Sequence, residues 1–204
     1  RKNAPWGRSF AGMVKYGKEN PGKLRYISWE IGSGIDISCE WVLKTVGVTV
    51  QKIPQGTVQE CASTVGAGEG DFTMATMDQA ITNMQTGRVD ITMVLGSAVP
   101  EIVMKSNPEA VSAKQAGLST TIKGTILGLA VPSDVPQARV DWLYKLFNFA
   151  AHSELHQKRS QLFPSIQFNI IDGKAANAEN RQIYEFAEPI IRSIGLHIDD
   201  VKKK

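Results

Sequence analysis

The sequence predicts an α/β fold in which a parallel-rich sheet carries helices on both faces. Two observations carry this. Between residues 24 and 95 strand-like and helix-like periodicities alternate, and the turns that lead from strand to helix are built from Gly, Ser, Thr and Pro. The 204 residues, 42% hydrophobic and 21% charged, supply ample apolar content for a core and exclude a disordered or collagen-like chain.

In chain order, Leu24 to Ser28 reads as a strand, and Ile35, Cys39, Val42 and Val46 recur on one helix face. Val48 to Ile53 alternates as a strand, and Val58, Cys61, Ala62 and Val65 mark the next helix. Asp71 to Ala75 is a short strand, followed by the stripe Met77, Ala80, Ile81 and Met84, with Gly87 ending that helix as a C′ glycine. Asp90 to Leu95 is a further strand, and residues 97–124 are less regular, with a helical piece ending near Gly117. Thr125 to Val131 and Ile166 to Ile171 read as strands. Val140, Leu143, Phe147 and Ala150 form a helix stripe. Ile183, Phe186, Ala187, Ile190 and Ile194 form a closing helix, which Pro189 should kink. The last block has much helix and little sheet.

Net charge is +3, part of it in the terminal Lys202-Lys203-Lys204 run, and no Lys/Arg stripe interleaved with aromatics points to nucleic acid. Cys39 and Cys61 fall on helical stripes as small buried residues, with a disulfide as the alternative. No apolar run approaches the roughly 18 residues of a membrane span. The opening RKNAPWGRSF is no signal peptide, which a mature chain also lacks.

A parallel sheet opens its binding crevice at the carboxyl ends of its strands, where three loops would meet: Ser28 to Ser33, Pro54 to Thr57, and Ala75 to Asp78. The first holds Gly32-Ser33-Gly34. A helix starting near Gly34 leaves its first amides unpaired at the positive end of its dipole, the glycines allow close backbone approach, and Ser33 can cap. The turn is either a plain capped connection or an anion site for a carboxylate or phosphate. Thr76 repeats the device before the third helix. Trp29 either stacks on a ligand or covers the sheet edge, and Glu30 would repel an anion unless it turns outward or meets a cation.

Other patterns carry less. Gly66-Ala67-Gly68-Glu69-Gly70 follows a helix rather than a strand, the wrong setting for a dinucleotide fingerprint, and reads as a turn. His152 and His156 sit four apart on an expected helix with no further ligands in register for zinc, so no metal site is expected. Gly32-Ser33-Gly34 is no nucleophile elbow, and all three histidines follow residue 150 without a placed acid partner. No catalytic constellation and no cofactor site is expected.

ENPGKLRYIS, the Gly-Ser turn with Glu40 after it, Ile53-Pro54, the Gly-rich Val65 to Asp71 turn, QTGRVDITMV, EAVSAKQAGL and GLAVPSDVP follow the order seen in Bug-type receptors. These are the extracytoplasmic solute-binding proteins of tripartite tricarboxylate transporters, and the resemblance covers about Ala4 to Ile198. It implies a type II periplasmic-binding fold and a non-catalytic receptor that closes on a small carboxylate in an inter-lobe cleft. The implied partners are the transporter's membrane components and the implied location is extracytoplasmic. The ligand-binding residues expected on the combined grounds are Ser28, Trp29, Gly32, Ser33, Gly34, Ala75 and Thr76.

Glu30 and Ile31 replace small or amide residues of the family, Asp36 stands where His is common, and Ala75 stands where an acidic or amide residue is usual. The added negative charge leaves an amino-bearing or uncharged ligand as an alternative. The resemblance also implies that a first βαβ block is missing. Residues 1–124 would then form the ligand-binding lobe and 125–204 the returning part of the other, incomplete lobe, with a hinge near 95–131 and exposed helix faces prone to self-association. A cytosolic ligand-sensing module of a transcription regulator is the alternative class, since it shares this architecture.

Overall fold

A computed structural model of the chain describes residues 1–96, 98–118, 128–160, 170–193, 195 and 197–201. They divide into two compact units, Arg1–Lys123 with Phe186–Lys204, and Gly124–Glu185.

The first unit opens with α1 (Phe10–Glu19), a helix capped by Ser9, whose Oγ accepts the Gly12 amide at 3.1 Å. Next come β1 (Leu24–Trp29), α2 (Gly34–Val46), β2 (Val50–Gln55), α3 (Val58–Ala67) and α4 (Met77–Gln85). β3 (Met93–Val94), α5 (Glu101–Ser106) and β4 (Val111–Ser112) follow. β1 pairs in parallel with β2, from Leu24 opposite Val50 to Trp29 opposite Gln55, and a parallel bridge joins Tyr26 to Phe72 on its other edge. Side chains of β1 alternate between faces. Leu24 and Tyr26 pack with Phe10 and Met13 of α1 and with Cys39, Val42 and Leu43 of α2. Ile27 packs with Cys61 and Val65 of α3. The sheet therefore separates the two cysteines, and both are free, buried thiols, which removes the disulfide alternative.

Helices α2, α3 and α4 lie where the periodicity puts them, and Gly87, at φ 73°, follows α4 as expected with its amide donating to Met84 O at 2.9 Å. The strands are shorter or shifted. β2 starts at Val50 because the Val48 amide is spent on Leu43 O at 3.0 Å, closing α2 behind the left-handed Gly47. Pro54 fits in β2 because that strand is paired on one edge only among the described residues. The strand expected over Asp71 to Ala75 shrinks to the Phe72 bridge, and that over Asp90 to Leu95 to β3, which pairs with β4 in a stretch read as irregular. Of the Gly-rich run, Gly68 takes φ 86° to end α3, and a Cβ on Gly70 would run into Ile27. That is structural work, in keeping with a turn.

In the second unit, α6 (Gln137–Ala151) buries none of its side chains, and Trp142 and Phe149 are 61% and 77% exposed. His152 ends α6, its Nδ1 donating to Asn148 O at 2.7 Å, while His156 belongs to the next helix, α7 (Glu154–Ser160). The two histidines do not share one helix: Ser153 lies between α6 and α7, and its Oγ accepts the His156 amide at 3.3 Å at the start of α7. α8 (Gly173–Ser193) starts ten residues before its expected stripe, contains Pro189 and runs from the second unit into the first, to which α9 (Ile198–Val201) belongs. Residues 125–127 and 166–169 of the two expected strands, the last position of the Ile183 to Ile194 stripe, and residues 97 and 119–127 of the 95–131 hinge lie outside the described residues. Residues 128–131 and 170–171 form no strand.

One buried ion pair ties the start of β1 to the end of the α3 turn. Asp71 accepts from the Arg25 amide at 2.9 Å and from its guanidinium at 3.1 and 3.2 Å. Burial favours the neutral acid, but the Arg25 hydrogen bonds and charge outweigh it and hold Asp71 below the usual carboxylate range. A lowered folded value means that this stabilisation is complete above the unfolded value, about 4, and is lost as pH falls through the folded one. Asp71→Asn should lose about 2 kcal/mol at pH 7, and the loss should shrink below pH 4. Urea midpoints at pH 3 and pH 7 check this; an equal loss at both pH values would remove Asp71 from the acid limb.

Candidate functional site

Because β1 and β2 are parallel and Phe72 joins β1 in the same sense, the chain leaves all three segments at one edge. The turns Ser28–Ser33, Pro54–Thr57 and Thr73–Asp78 therefore sit at the carboxyl ends, each followed by the N-terminus of a helix. Ser33 caps α2, accepting the Asp36 amide at 3.2 Å, and Thr57 caps α3, accepting the Glu60 amide at 3.1 Å. Thr76 differs: it stands at the N-cap position of α4, but its hydroxyl donates to Gln79 Oε1 at 2.8 Å and caps nothing.

The first turn is wound tightly. Glu30 and Gly32 take φ of 42° and 82°, and the Ser33 amide closes on Glu30 O at 3.0 Å. Glu30 is exposed, so its carboxylate turns out to solvent. Trp29 packs on the Ile27, Cys61 and Val65 cluster, and its carbonyl accepts from Ser33 Oγ at 3.3 Å.

At the centre lies Asp36, with no exposed surface. Its carboxylate accepts from the Gly32 amide and from Ser28 Oγ, both at 2.9 Å, and from the Tyr26 hydroxyl at 3.4 Å. The Lys52 ammonium lies 2.7 Å away and reaches Glu40 on the next turn of α2 at 2.9 Å. Burial works against the charge on Lys52, but its hydrogen bonds to Asp36 and Glu40 outweigh this and raise it above the ordinary lysine value. Lys52 also stands 5.9 Å over the Tyr26 ring. Burial pushes both the Tyr26 hydroxyl and the Cys39 thiol up, so neither ionises near neutral pH.

The seven residues expected to touch a ligand thus fall into two sets. Ser28, fully buried, and Gly32 turn their donors inward to Asp36. Trp29, Ser33, Gly34, Ala75 and Thr76 remain along the edge, none of them fully buried. Within the α2 turn, the amides of Gly34 and Ile35 meet no acceptor among the described residues. The charge of Asp36, expected to burden the site, is met by Lys52, a residue that no sequence motif marks. Only the β1–β2 register, which sets Lys52 opposite Tyr26, brings it there. Among the described residues no group of three His, Cys, Asp or Glu side chains could hold a metal ion.

No protein-family model matches the sequence, and no curated protein matches it. The fold is that of periplasmic solute-binding proteins. The chain is similar to a TctC solute-binding protein from Polaromonas, with TM-score 0.71 at 18% identity over 94% of this chain. It is similar to a periplasmic transporter protein, with TM-score 0.77 at 14% identity over 95% of this chain. A third structure, an R. palustris protein with adipate, aligns with TM-score 0.73 at 15% identity over 95% of this chain. The chain spans 63% of the length of each of the three. No helix of the described residues is long and apolar enough to cross a membrane.

The two hydroxyls at helix starts give a contrast that can be measured. Ser33→Ala removes a cap and should lose about 1 kcal/mol. Thr76→Ala removes no cap and should stay within about 0.5 kcal/mol of the parent. Urea unfolding of both variants checks this; equal losses would mean that the cap geometry at Ser33 is not what holds α2.

Proposed function

We propose that the chain is a non-catalytic solute-binding receptor of the tripartite tricarboxylate transporter type. It captures a small carboxylate-bearing solute outside the cytoplasm and presents it to the transporter's membrane components. The observation that carries this reading is the pair of amides, Gly34 and Ile35, unmatched among the described residues, at the positive end of α2 on the carboxyl edge of a parallel sheet. The fold shared with a TctC solute-binding protein, and with an R. palustris protein solved with adipate, supports it.

In this reading the ligand carboxylate accepts from Gly34 and Ile35, with Ser33 Oγ beside them. Trp29 forms an apolar wall, and the uncapped start of α4 at Thr76, next to Ala75, offers a second positive end for a second carboxylate. Ser28 and Gly32 act from behind, fixing the turn through Asp36. No proton is transferred and no bond is made. Selectivity comes from charge and length.

A thermal-shift screen of the full-length protein tests this with succinate, adipate and citrate against 6-aminohexanoate, cadaverine and adipamide. At one hundred times Kd a ligand stabilises by about 2.7 kcal/mol, so at least one of the three anions should raise Tm by several degrees. Stabilisation by the amines or by adipamide alone would overturn the carboxylate assignment.

A further inference from the structure

The Asp36–Lys52–Glu40 cluster does more than hold a turn. Asp36 is wholly buried, follows in sequence the amides proposed to take a ligand, and already occupies the Gly32 amide with its carboxylate. A carboxylate there is the natural counter-charge for a helix N-terminus. Left alone, it would satisfy that end of α2 from inside the protein and repel a second anion arriving from outside. It is not left alone: the Lys52 ammonium touches it at 2.7 Å, with only 23% of the Lys52 side chain exposed. Glu40, the other partner of Lys52, sits one helical turn further from the N-terminus, so the charge nearest the amides is Asp36 balanced by Lys52.

We infer that Asp36 and Lys52 are the specificity-determining pair of this site, Lys52 cancelling the charge of Asp36 beneath the α2 N-terminus and so fixing a preference for anionic solutes. The inference rests on the receptor reading above. Neither residue touches the ligand. Asp36 positions the turn by drawing the Gly32 amide inward, which leaves Gly34 and Ile35 as the outward donors, and Lys52 decides whether that position attracts an anion or repels it.

Opposite signs separate this from a merely structural role. Isothermal titration of the full-length protein with succinate, adipate and citrate is run on the parent and on Lys52→Gln, Asp36→Asn and the double variant. Thermal unfolding of each preparation verifies that it is folded. For each anion the parent binds, Lys52→Gln should weaken affinity about fivefold and Asp36→Asn should strengthen it about fivefold, the scale of one unit charge near a protein surface. The double variant should return near the parent.

Weaker binding in both single variants, or losses that add in the double, would overturn the inference and leave the receptor reading standing. Failure of the parent to bind any of the three anions would overturn both. If Lys52→Gln does not fold, Asp36→Asn decides alone, since a structural role predicts weaker binding and charge cancellation predicts stronger.

Discussion

Leu24, Tyr26, Ile27 and Ser28 are all out of contact with solvent on a strand that is paired along one edge and bridged along the other. Such a strand has no freedom of register, because a slip of one residue would exchange Tyr26 for Ile27 between faces that differ in shape. Its parallel neighbours must then leave the sheet at the same edge, and that forces the starts of α2, α3 and α4 together. The same burial makes a demand at the strand's end. Ser28 brings a hydroxyl into a place without water, and it needs an acceptor. Asp36 supplies that acceptor, and in reaching it Asp36 also collects the Gly32 amide and closes the turn. The geometry of the edge thus follows from the burial of one strand.

The sequence was most legible where signals are local. Ser33 marks the start of α2 and Gly87 the end of α4, because caps act within four residues. It was least legible where a segment's backbone serves a distant partner. Asp71 is held by Arg25, 46 residues away, and Asp90 by Arg8, 82 residues away, with Asn107 reaching Ile91 O between them. Those polar contacts consume stretches that alternate like strands, so periodicity overstates β structure there. Val48 misleads for a related reason, since its amide closes α2 before the strand can begin.

The same division runs through the site. Gly32-Ser33-Gly34 announces its conformation within the turn, and Gly32 does adopt the left-handed backbone that a glycine allows. What the carboxylate of Asp36 does cannot be read there. Three residues after a cap it reads equally as a group that favours the helix dipole and as one that opposes an anion. The answer comes from Lys52, sixteen residues on and in a different element, brought near by pairing between strands rather than by any helical spacing.

A helix N-terminus has a fixed number of amides, and α2 divides them. The Asp36 amide, the third of the helix, goes to the Ser33 cap, and the Gly32 amide ahead of the helix goes to the Asp36 side chain. Gly34 and Ile35 stand between them without an acceptor among the described residues. A protein that needed only to end a helix neatly had no use for a buried charge here, since removing a carboxylate from water is expensive unless a cation accompanies it. The arrangement becomes economical if the carboxylate's task is to hold the turn rigid while a lysine keeps its field from reaching outward. The inner half of the helix end is then permanently occupied, with the charge of Asp36 met by Lys52, and the outer half keeps its positive end for a solute.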